Sequence, residues 1–281
     1  MWGYNHRMGT LYLVATPIGN LEDMSPRAVR ILREVKLIAA EDTRHTRQLL
    51  THFDIHTPLT SYYEHNKLTK QDVLLATLAQ GDVALVSDAG TPAINDPGYE
   101  LVKAALDSGH PISPVPGPSA PIAALTASGL PTDSFLYLGY LPRKTSERKE
   151  FLGQVASLPY TLIFLETPHR LLDSLADLES VLGDRPMAAA RELTKVYEQF
   201  VRGQISRVRT YFAENEPRGE FVFVVGGHKL GERAQWTEQD LIEAIQSALK
   251  TKKPAKELAA ELAEQSGWNK RDVYALINKA K

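Results

Sequence analysis

Three loops of the chain combine glycine, proline and small polar residues in a way that suits the binding of a small polar molecule. They are 16–20 (TPIGN), 88–92 (DAGTP) and 116–119 (PGPS), and an apolar strand is predicted immediately before each. Small side chains at the carboxyl ends of parallel strands leave backbone N–H and C=O groups accessible to a ligand. One such loop is also typical of an ordinary turn, but three at one edge of a sheet favour a pocket.

The second and third loops carry side chains that could hold such a molecule. Asp88 can anchor a hydroxyl group or a cation, although it could equally cap a turn. Thr91, Ser119 and the backbone amide of Ala120 can form hydrogen bonds with polar atoms of a ligand. We therefore predict that these residues line one wall of the pocket.

Three further segments place carboxylates beside arginine, lysine or histidine, each again after an apolar strand. They are 40–45 (AEDTRH), 165–170 (LETPHR) and 189–195 (AARELTK). Such clusters are often only solvated strand ends, but the mixture also suits a cleft that binds a charged substrate and positions a hydroxyl group.

Familiar signatures of other enzyme classes are missing from the sequence. It contains no GxGxxG, no complete P-loop, no HExxH and no GxSxG, which are the usual markers of nicotinamide dehydrogenases, P-loop NTPases, zincins and elbow-type hydrolases. With no cysteine it can form neither a disulfide nor a cysteine-based metal site, and we expect no metal. A net charge of −2 and the lack of a long apolar run lead us to expect a soluble, cytoplasmic protein that contacts nucleic acid only through local basic patches.

Alternating strands and helices must position these loops. The pattern predicts strands at 11–15, 37–40, near 59, at 83–87 and at 112–115, with helices at 27–34, 43–53, 67–80 and 99–108 between them. This alternation indicates a parallel sheet with helices on both faces. We expect it to form an N-terminal α/β domain over residues 9–118, after a disordered extension of residues 1–8.

The second half of the chain is less regular, which indicates a mixed sheet. Strands are predicted at 135–138, 161–165, 187–190 and 221–225, with helices at 120–128, 146–157 and 169–182. We expect a second α/β domain over residues 119–230. Residues 231–281 should form a helical appendage, with eight basic and four acidic residues between Lys250 and Lys281, either a helix-turn-helix-like RNA-binding unit or a plain helical hairpin packed on the second domain.

The chain resembles the tetrapyrrole methylase superfamily, and in particular its branch that methylates small-subunit ribosomal RNA. The segments that carry this resemblance occur in the expected order between Leu11 and about Gly227. They are VATPIGNL, IAAEDTRHT, LVSDAGTPAINDPGYELV, PVPGPSA, LGYLPRK, FLETPHRL and ARELTK. An ordered set of this kind is far more specific than any single loop.

The resemblance implies two α/β domains with S-adenosylmethionine held in the cleft between them. It also implies methylation of the ribose 2′-oxygen of a cytidine in the decoding region of 16S ribosomal RNA, within the small ribosomal subunit, by a homodimeric enzyme. The residues that match the donor-binding motifs are Pro17, Asp88, Gly90, Thr91, Ser119, Ala120, Leu165 and Glu166. Ser119 stands where some relatives carry cysteine, a change that a backbone contact would tolerate.

Methylation of a hydroxyl group requires above all that the hydroxyl oxygen is aligned behind the methyl carbon of the donor. A base that accepts the hydroxyl proton would assist the transfer. The candidates for that base are Asp42, Glu166 and Glu192, which the sequence does not rank. The basic residues expected to contact RNA phosphates are Arg44, Arg143, Lys144, Arg148, Lys149, Arg170, Arg191 and Lys195. Four of these residues belong to the segment 143–149, which is expected to be a mobile loop or, alternatively, the start of an ordinary helix.

Two other functions remain open at this point. A corrinoid or tetrapyrrole C-methyltransferase would share the donor pocket but methylate carbon. A non-catalytic ribosome-assembly factor would only bind RNA. The segments AEDTRHT and ETPHR and the basic C-terminal region favour RNA over a tetrapyrrole as substrate.

Overall fold

The computed structural model describes residues 8–63, 67–228, 236, 238–249, 253–266 and 268–279. The expected extension of residues 1–8 lies outside this part of the chain except for Met8. The strands are β1 (Leu11–Val14), β2 (Leu37–Ala40), β3 (Leu59–Ser61), β4 (Val83–Val86), β5 (Ile112–Val115), β6 (Phe135–Tyr140), β7 (Thr161–Glu166), β8 (Pro186–Arg191), β9 (Gln199–Gln204) and β10 (Phe221–Val225).

Eleven α-helices and two short 3₁₀ helices, Leu21–Asp23 and Pro168–Arg170, lie in the same described residues. The α-helices are α1 (Pro26–Glu34), α2 (Thr43–His52), α3 (Lys67–Leu78), α4 (Tyr99–Asp107), α5 (Ala120–Ser128), α6 (Thr145–Val155), α7 (Leu171–Leu182), α8 (Ile205–Glu214), α9 (Glu238–Leu249), α10 (Ala255–Ser266) and α11 (Lys270–Lys279). None of these helices is both long enough and apolar enough to cross a lipid bilayer.

The first sheet has the order β3-β2-β4-β1-β5, and all its strand pairs are parallel. Helices α1 and α2 pack on one face through residues such as Ile31 and Leu50, while α3 and α4 pack on the other through Leu74 and Leu101. The central strand β4 is buried along its whole length, because a strand covered on both faces must be apolar throughout. The predicted doubly covered parallel sheet is confirmed.

The second sheet has the order β6-β7-β10-β8-β9. Only β6 and β7 are parallel; the other pairs are antiparallel, so the predicted mixed sheet is confirmed. Helices α6, α7 and α8 bury one face around Phe164, Phe212 and Phe223. Helix α5 covers the other face with Ala124 and Leu125, although it follows the last strand of the first sheet.

The sequence did not predict β9 or α8. Strand β9 lies at the sheet edge, pairs only with β8 and has no fully buried residue. Its sequence, QFVRGQ, therefore lacks the apolar run by which the buried strands were recognised.

Helices α9, α10 and α11 share a small apolar core of their own. Leu241, Ile245, Leu258, Val273 and Ile277 are all buried in it. The expected helical character of this region is confirmed for its described residues, and its binding to RNA stays a prediction.

Candidate functional site

The three loops singled out in the sequence meet at the carboxyl edge of the first sheet. Thr16 and Gly90 exchange backbone hydrogen bonds of 2.9 and 3.0 Å, which join the loop after β1 to the loop after β4. The Thr91 hydroxyl donates to the carbonyl of Pro118 at 3.2 Å, which joins the loop after β4 to the loop after β5. Gly90 has φ +80°, a left-handed conformation that favours glycine over any residue with a Cβ.

The second half of the chain closes over these loops at two tight contacts. A Cβ on Gly139, in β6, would lie 2.5 Å from the side-chain amide of Asn95 in the loop after β4. A Cβ on Gly19, in the loop after β1, would lie 2.4 Å from Cγ of Lys195 in the loop after β8. Both glycines also have positive φ, so any larger residue would be strained as well as crowded.

Between these contacts lies a cavity of about 300 Å³, which we call the main cleft. The first half of the chain lines it with Ile18, Glu41, 88–91, 94–96 and 119–121, and the second half with Tyr137, Tyr140, Leu165, Glu166, Leu193 and 220–222. All but one of the predicted donor-binding residues therefore line one cavity. The exception, Pro17, lines a neighbouring one.

The main cleft is acidic, since Glu41, Asp88, Asp96, Glu166 and Glu220 line it, although Glu166 pairs with Arg170 and Glu220 with Lys195. Burial raises the pKa of Asp96 to about 6; a hydrogen bond with Ser87 opposes this rise and the charge of Asp88 adds to it. Burial also raises the pKa of Glu41, and the nearby charges of Asp96 and Asp88 raise it further. Crowded carboxylates of this kind favour a cationic ligand, which would relieve their mutual repulsion.

Glu166 lies at the end of β7 with its side chain 0% exposed, and its carboxylate is fully engaged. Oε1 accepts from the Thr167 backbone N–H at 2.7 Å and pairs with the Arg170 guanidinium at 2.6 Å, while Oε2 accepts from the Ser174 hydroxyl at 2.5 Å. Arg170 also donates to the carbonyl of Leu141 at 3.0 Å. The network fixes the end of β7 against the loop after β6.

The other two candidate bases are also held by protein donors. Asp42 caps α2, and hydrogen bonds from the Arg44 side chain and backbone lower its pKa. Burial alone would raise the pKa of Glu192, but hydrogen bonds from the Glu220 backbone N–H and the Lys195 ammonium outweigh it, so that the pKa is lowered. Neither side chain lines the main cleft.

The predicted RNA-contacting residues fall into two groups. Arg44, Arg143, Lys144 and Lys149 are exposed, and three of them also form ion pairs: Arg44 with Asp42, Lys144 with Glu147 and Lys149 with Asp177. Lys195 pairs with Glu192 and Glu220, and the Arg191 and Arg170 guanidinium groups donate to the protein's own carbonyl groups.

The assignment of Arg148 to RNA is wrong. Its side chain is 3% exposed and pairs with Asp177, with Nε 2.7 Å from Oδ2, while the carbonyls of Pro142 and Arg143 accept from its guanidinium. Helix α6 begins at Thr145, so 145–149 form a helix start rather than a loop, and the helical repeat turns Arg148 inward.

A smaller cavity of about 210 Å³, which we call the side pocket, adjoins the main cleft. Asp88 lines both cavities, and the loop after β1 separates them, with Ile18 on the main cleft and Pro17 and Gly19 on the side pocket. The remaining lining residues of the side pocket are Thr16, Leu21, His45, Thr46, Gln48, Leu49 and Ser87.

Sequence reasoning missed several residues of the main cleft. Glu41 and Asp96 lie inside motifs that it had identified, but the sequence does not show which carboxylates of a motif point inward. Tyr137 and Tyr140 lie in β6, and burial raises the pKa of Tyr137 to about 12. The pairing register of β6 with β7 shifts between Tyr137 and Tyr140. No pattern in the sequence indicates this shift, which affects where the two side chains lie.

The described residues contain no group of three or more histidine, aspartate or glutamate side chains arranged to hold a metal ion.

The chain is similar to a known protein family, to individual relatives and to solved structures, and these similarities agree with one another. A family model for tetrapyrrole (corrin/porphyrin) methylases matches residues 10–209.

Three similar proteins carry the name ribosomal RNA small subunit methyltransferase I. The protein from a Synechocystis species is 48% identical over 96% of this chain and 97% of its own length. That from Escherichia coli O157:H7 is 47% identical over 96% and 95%. That from Bacillus subtilis is 44% identical over 95% and 93%.

Solved structures share the fold at low sequence identity. The native uroporphyrin III C-methyl transferase from Thermus thermophilus has a TM-score of 0.54 and 21% identity, covering 78% of this chain and 97% of its own. The same enzyme complexed with S-adenyl homocysteine has a TM-score of 0.53 and 22% identity, with the same coverage.

Proposed function

Because this chain belongs to the tetrapyrrole (corrin/porphyrin) methylase family, we propose that it is an S-adenosylmethionine-dependent methyltransferase of small-subunit ribosomal RNA. The relatives named as such enzymes support the substrate class, since they match the chain over nearly its full length. The observation that carries the proposal is the acidic main cleft between the two sheets. Its carboxylates match the sulfonium and ammonium cations of the methyl donor.

The residues of the main cleft fit such a donor. Gly90 has no side chain, so a ligand can approach the loop after β4 closely, while Ala120 begins α5 and Ser119 precedes it without using its side chain as a cap. Asp88 and Asp96 offer carboxylates for cationic or hydroxyl groups, and Leu165 offers an apolar wall. We retain Asp88, Gly90, Thr91, Ser119, Ala120, Leu165 and Glu166 as donor-binding residues and place Pro17 at the adjoining side pocket.

S-adenosylmethionine, when bound, supplies an electrophilic methyl group on a sulfonium sulfur. The task of the chain is to hold an acceptor hydroxyl in line with that group and to exclude water. Alignment of the reacting groups alone can remove a large part of the barrier. Asp42, Glu166 and Glu192 are poorly suited to accept the proton, because protein donors already hold each carboxylate and neither Asp42 nor Glu192 lines the main cleft. We assign Glu166 a positioning role through Arg170.

The finer assignment rests on the family resemblance. We propose that the acceptor is the ribose 2′-oxygen of a cytidine in the decoding region of 16S ribosomal RNA. We also propose that the enzyme is a homodimer that works in the cytoplasm.

The decisive assay is transfer of a labelled methyl group to unmethylated small ribosomal subunits and to naked 16S ribosomal RNA, followed by mapping of the modified nucleotide. We expect label at one ribose. Label on the carbon skeleton of an added uroporphyrinogen would identify a C-methyltransferase instead, and RNA binding without transfer would identify an assembly factor.

The exposed basic residues before and within α6 should contact the RNA backbone. Replacing Arg143, Lys144 and Lys149 together with alanine is expected to weaken RNA binding and to lower the slope of log affinity against log salt by up to about three. Affinity should be measured by filter binding across a salt series.

A control variant should remove the same charge elsewhere, by replacing the exposed Arg207, Arg209 and Arg218 with alanine. An equal change of slope in both variants would mean that the α6 region has no particular role in RNA binding.

A further inference from the structure

We propose that the side pocket receives a single nucleoside of the RNA substrate and that the exposed face of α2 holds the phosphates beside it. This inference rests on the proposed function and adds the place at which the acceptor enters. Four features of the pocket support it: its position, its lining residues, an unpartnered hydroxyl group and the charge around its mouth.

The position of the side pocket suits an acceptor that must meet the donor. Asp88 lines both cavities, and its Oδ1 accepts from the Asp42 backbone N–H at 2.9 Å, which fixes the first turn of α2 beside the main cleft. The two cavities meet at Asp88, and the loop after β1 lies along their boundary, with Ile18 facing one and Pro17 the other. A ribose joined to a base in the side pocket would therefore lie at Asp88, next to a donor in the main cleft.

The lining of the side pocket suits a flat heterocycle joined to a sugar. Pro17, Leu21 and Leu49 provide apolar surface, while His45 and Gln48 provide hydrogen-bonding groups. Polar and apolar surface are about equal in this pocket, so the apolar side chains can contact the face of a base while the polar groups bind its edge or its sugar. Enzymes that modify one nucleotide commonly take it out of the base stack into such a pocket.

Thr46 gives the sharpest indication that a ligand is bound here. It lines the side pocket, is only 4% exposed, and its hydroxyl has no hydrogen-bond partner within the described part of the protein. A buried hydroxyl without a partner is costly and uncommon in folded proteins. A polar atom of a bound nucleoside would provide the missing partner.

The charges around the two cavities favour different places for the RNA backbone and for the donor. Five carboxylates line the main cleft. Arg170 and Lys195 pair with two of them, Glu166 and Glu220, and the other three would repel phosphate groups, so the backbone should stay outside the cleft. Helix α2, by contrast, has no acidic residue among its ten, and its Arg47 and His52 are exposed beside Gln48 of the side pocket, as is Arg44, which also pairs with the capping Asp42. An uncharged nucleoside can then enter while α2 holds its phosphates.

Two single substitutions test this inference, Thr46→Val and Gln48→Ala. Valine has the shape of threonine, and the hydroxyl that it removes has no partner in the described part of the protein, so the fold should tolerate the change. We expect the substrate concentration at half-maximal single-turnover methylation to rise roughly three- to tenfold in each variant, the loss of about one hydrogen bond. Affinity for S-adenosylhomocysteine, measured by calorimetry, should change less than twofold.

The matched control is Thr210→Val, at an exposed threonine of α8, which should behave as the wild type. Half-saturation concentrations equal to the wild-type value in both pocket variants would overturn the inference. So would a loss of S-adenosylhomocysteine affinity in either one, because it would assign the side pocket to the donor. Wild-type protein that transfers no methyl group to small subunits or to naked RNA would refute the proposed function, and the inference with it.

Discussion

Replacing Asp96 with asparagine is expected to weaken S-adenosylmethionine binding about 30-fold or more, equivalent to about 2 kcal/mol. Asp96 lies half-buried in the main cleft beside Asp88 and Glu41, where its charge is poorly solvated. A cationic ligand gains most from a carboxylate in such surroundings. Asparagine keeps the shape of the side chain but removes the charge.

The same substitution should stabilise the unliganded protein at neutral pH. Burial raises the pKa of Asp96 from 3.8 to about 6, so the folded state holds a proton that the unfolded state releases between these two values. Stability therefore falls as pH rises from about 4 to 6, and the penalty is fully present at pH 7. The Asp96→Asn variant would carry no such penalty, a gain in stability at the expense of binding.

Donor binding by the wild type should show the corresponding pH dependence. A bound cation favours the ionised carboxylate, so affinity should rise as pH increases through about 6 and then level off. Calorimetric titration with S-adenosylmethionine and S-adenosylhomocysteine between pH 5 and 8 measures this, and the Asp96→Asn variant should lose it. A larger loss for the sulfonium ligand than for the thioether would place Asp96 beside the sulfur.

The control for this substitution is Asp133→Asn, at an exposed aspartate that does not line the main cleft. It should change neither affinity nor its pH dependence. If the Asp96 variant bound both ligands like the wild type, or unfolded more readily at pH 7, the role of Asp96 as the anchor of a cation would be wrong.

Replacing Glu166 with glutamine should lower the free energy of unfolding by about 3 kcal/mol. The carboxylate is fully buried and accepts from Thr167, Arg170 and Ser174, so glutamine would leave the Arg170 guanidinium without its counter-charge. If Glu166 acts only by positioning, single-turnover methylation below the unfolding temperature should fall less than about tenfold. Loss of a general base typically costs 10²–10⁴ in rate.

Glu179→Gln is the matched control. Glu179 also pairs with an arginine, Arg209, at 2.8 Å, but both side chains are partly exposed, so less than about 1 kcal/mol should be lost. Urea unfolding and single-turnover kinetics of the two variants separate the roles. A rate loss of a hundredfold or more in Glu166→Gln, with stability unchanged, would identify Glu166 as the proton acceptor.

The fold was largely predictable because most strands are buried and therefore apolar. Strands β4 and β10 are buried at every position, and a run such as VALV or FVFVV is recognisable without any tertiary information. Strand β9 was missed because an edge strand needs no such run. Its place beside β8 depends on backbone pairing, which is nearly independent of side-chain type.

The site was predictable as a set of loops but not as a set of side-chain directions. The three loops meet because Val14 lies opposite Val115 and Leu13 opposite Leu85, which brings the ends of β1, β4 and β5 to one edge. The sequence placed Arg148 among the surface cations, whereas Asp177, 29 residues away, holds it inside. Such a pair is invisible without the packing of α6 on α7.

By itself, the sequence determined the family, the parallel and mixed sheets, and the loops that could bind a methyl donor. These follow from local patterns, since burial and turn geometry act over a few residues. Only the tertiary structure decided which carboxylates share the main cleft, that protein donors hold all three candidate bases, and that Thr46 lies buried without a partner in the described part of the chain. Those properties depend on desolvation and on charges brought close from distant parts of the chain, and no local pattern encodes either one.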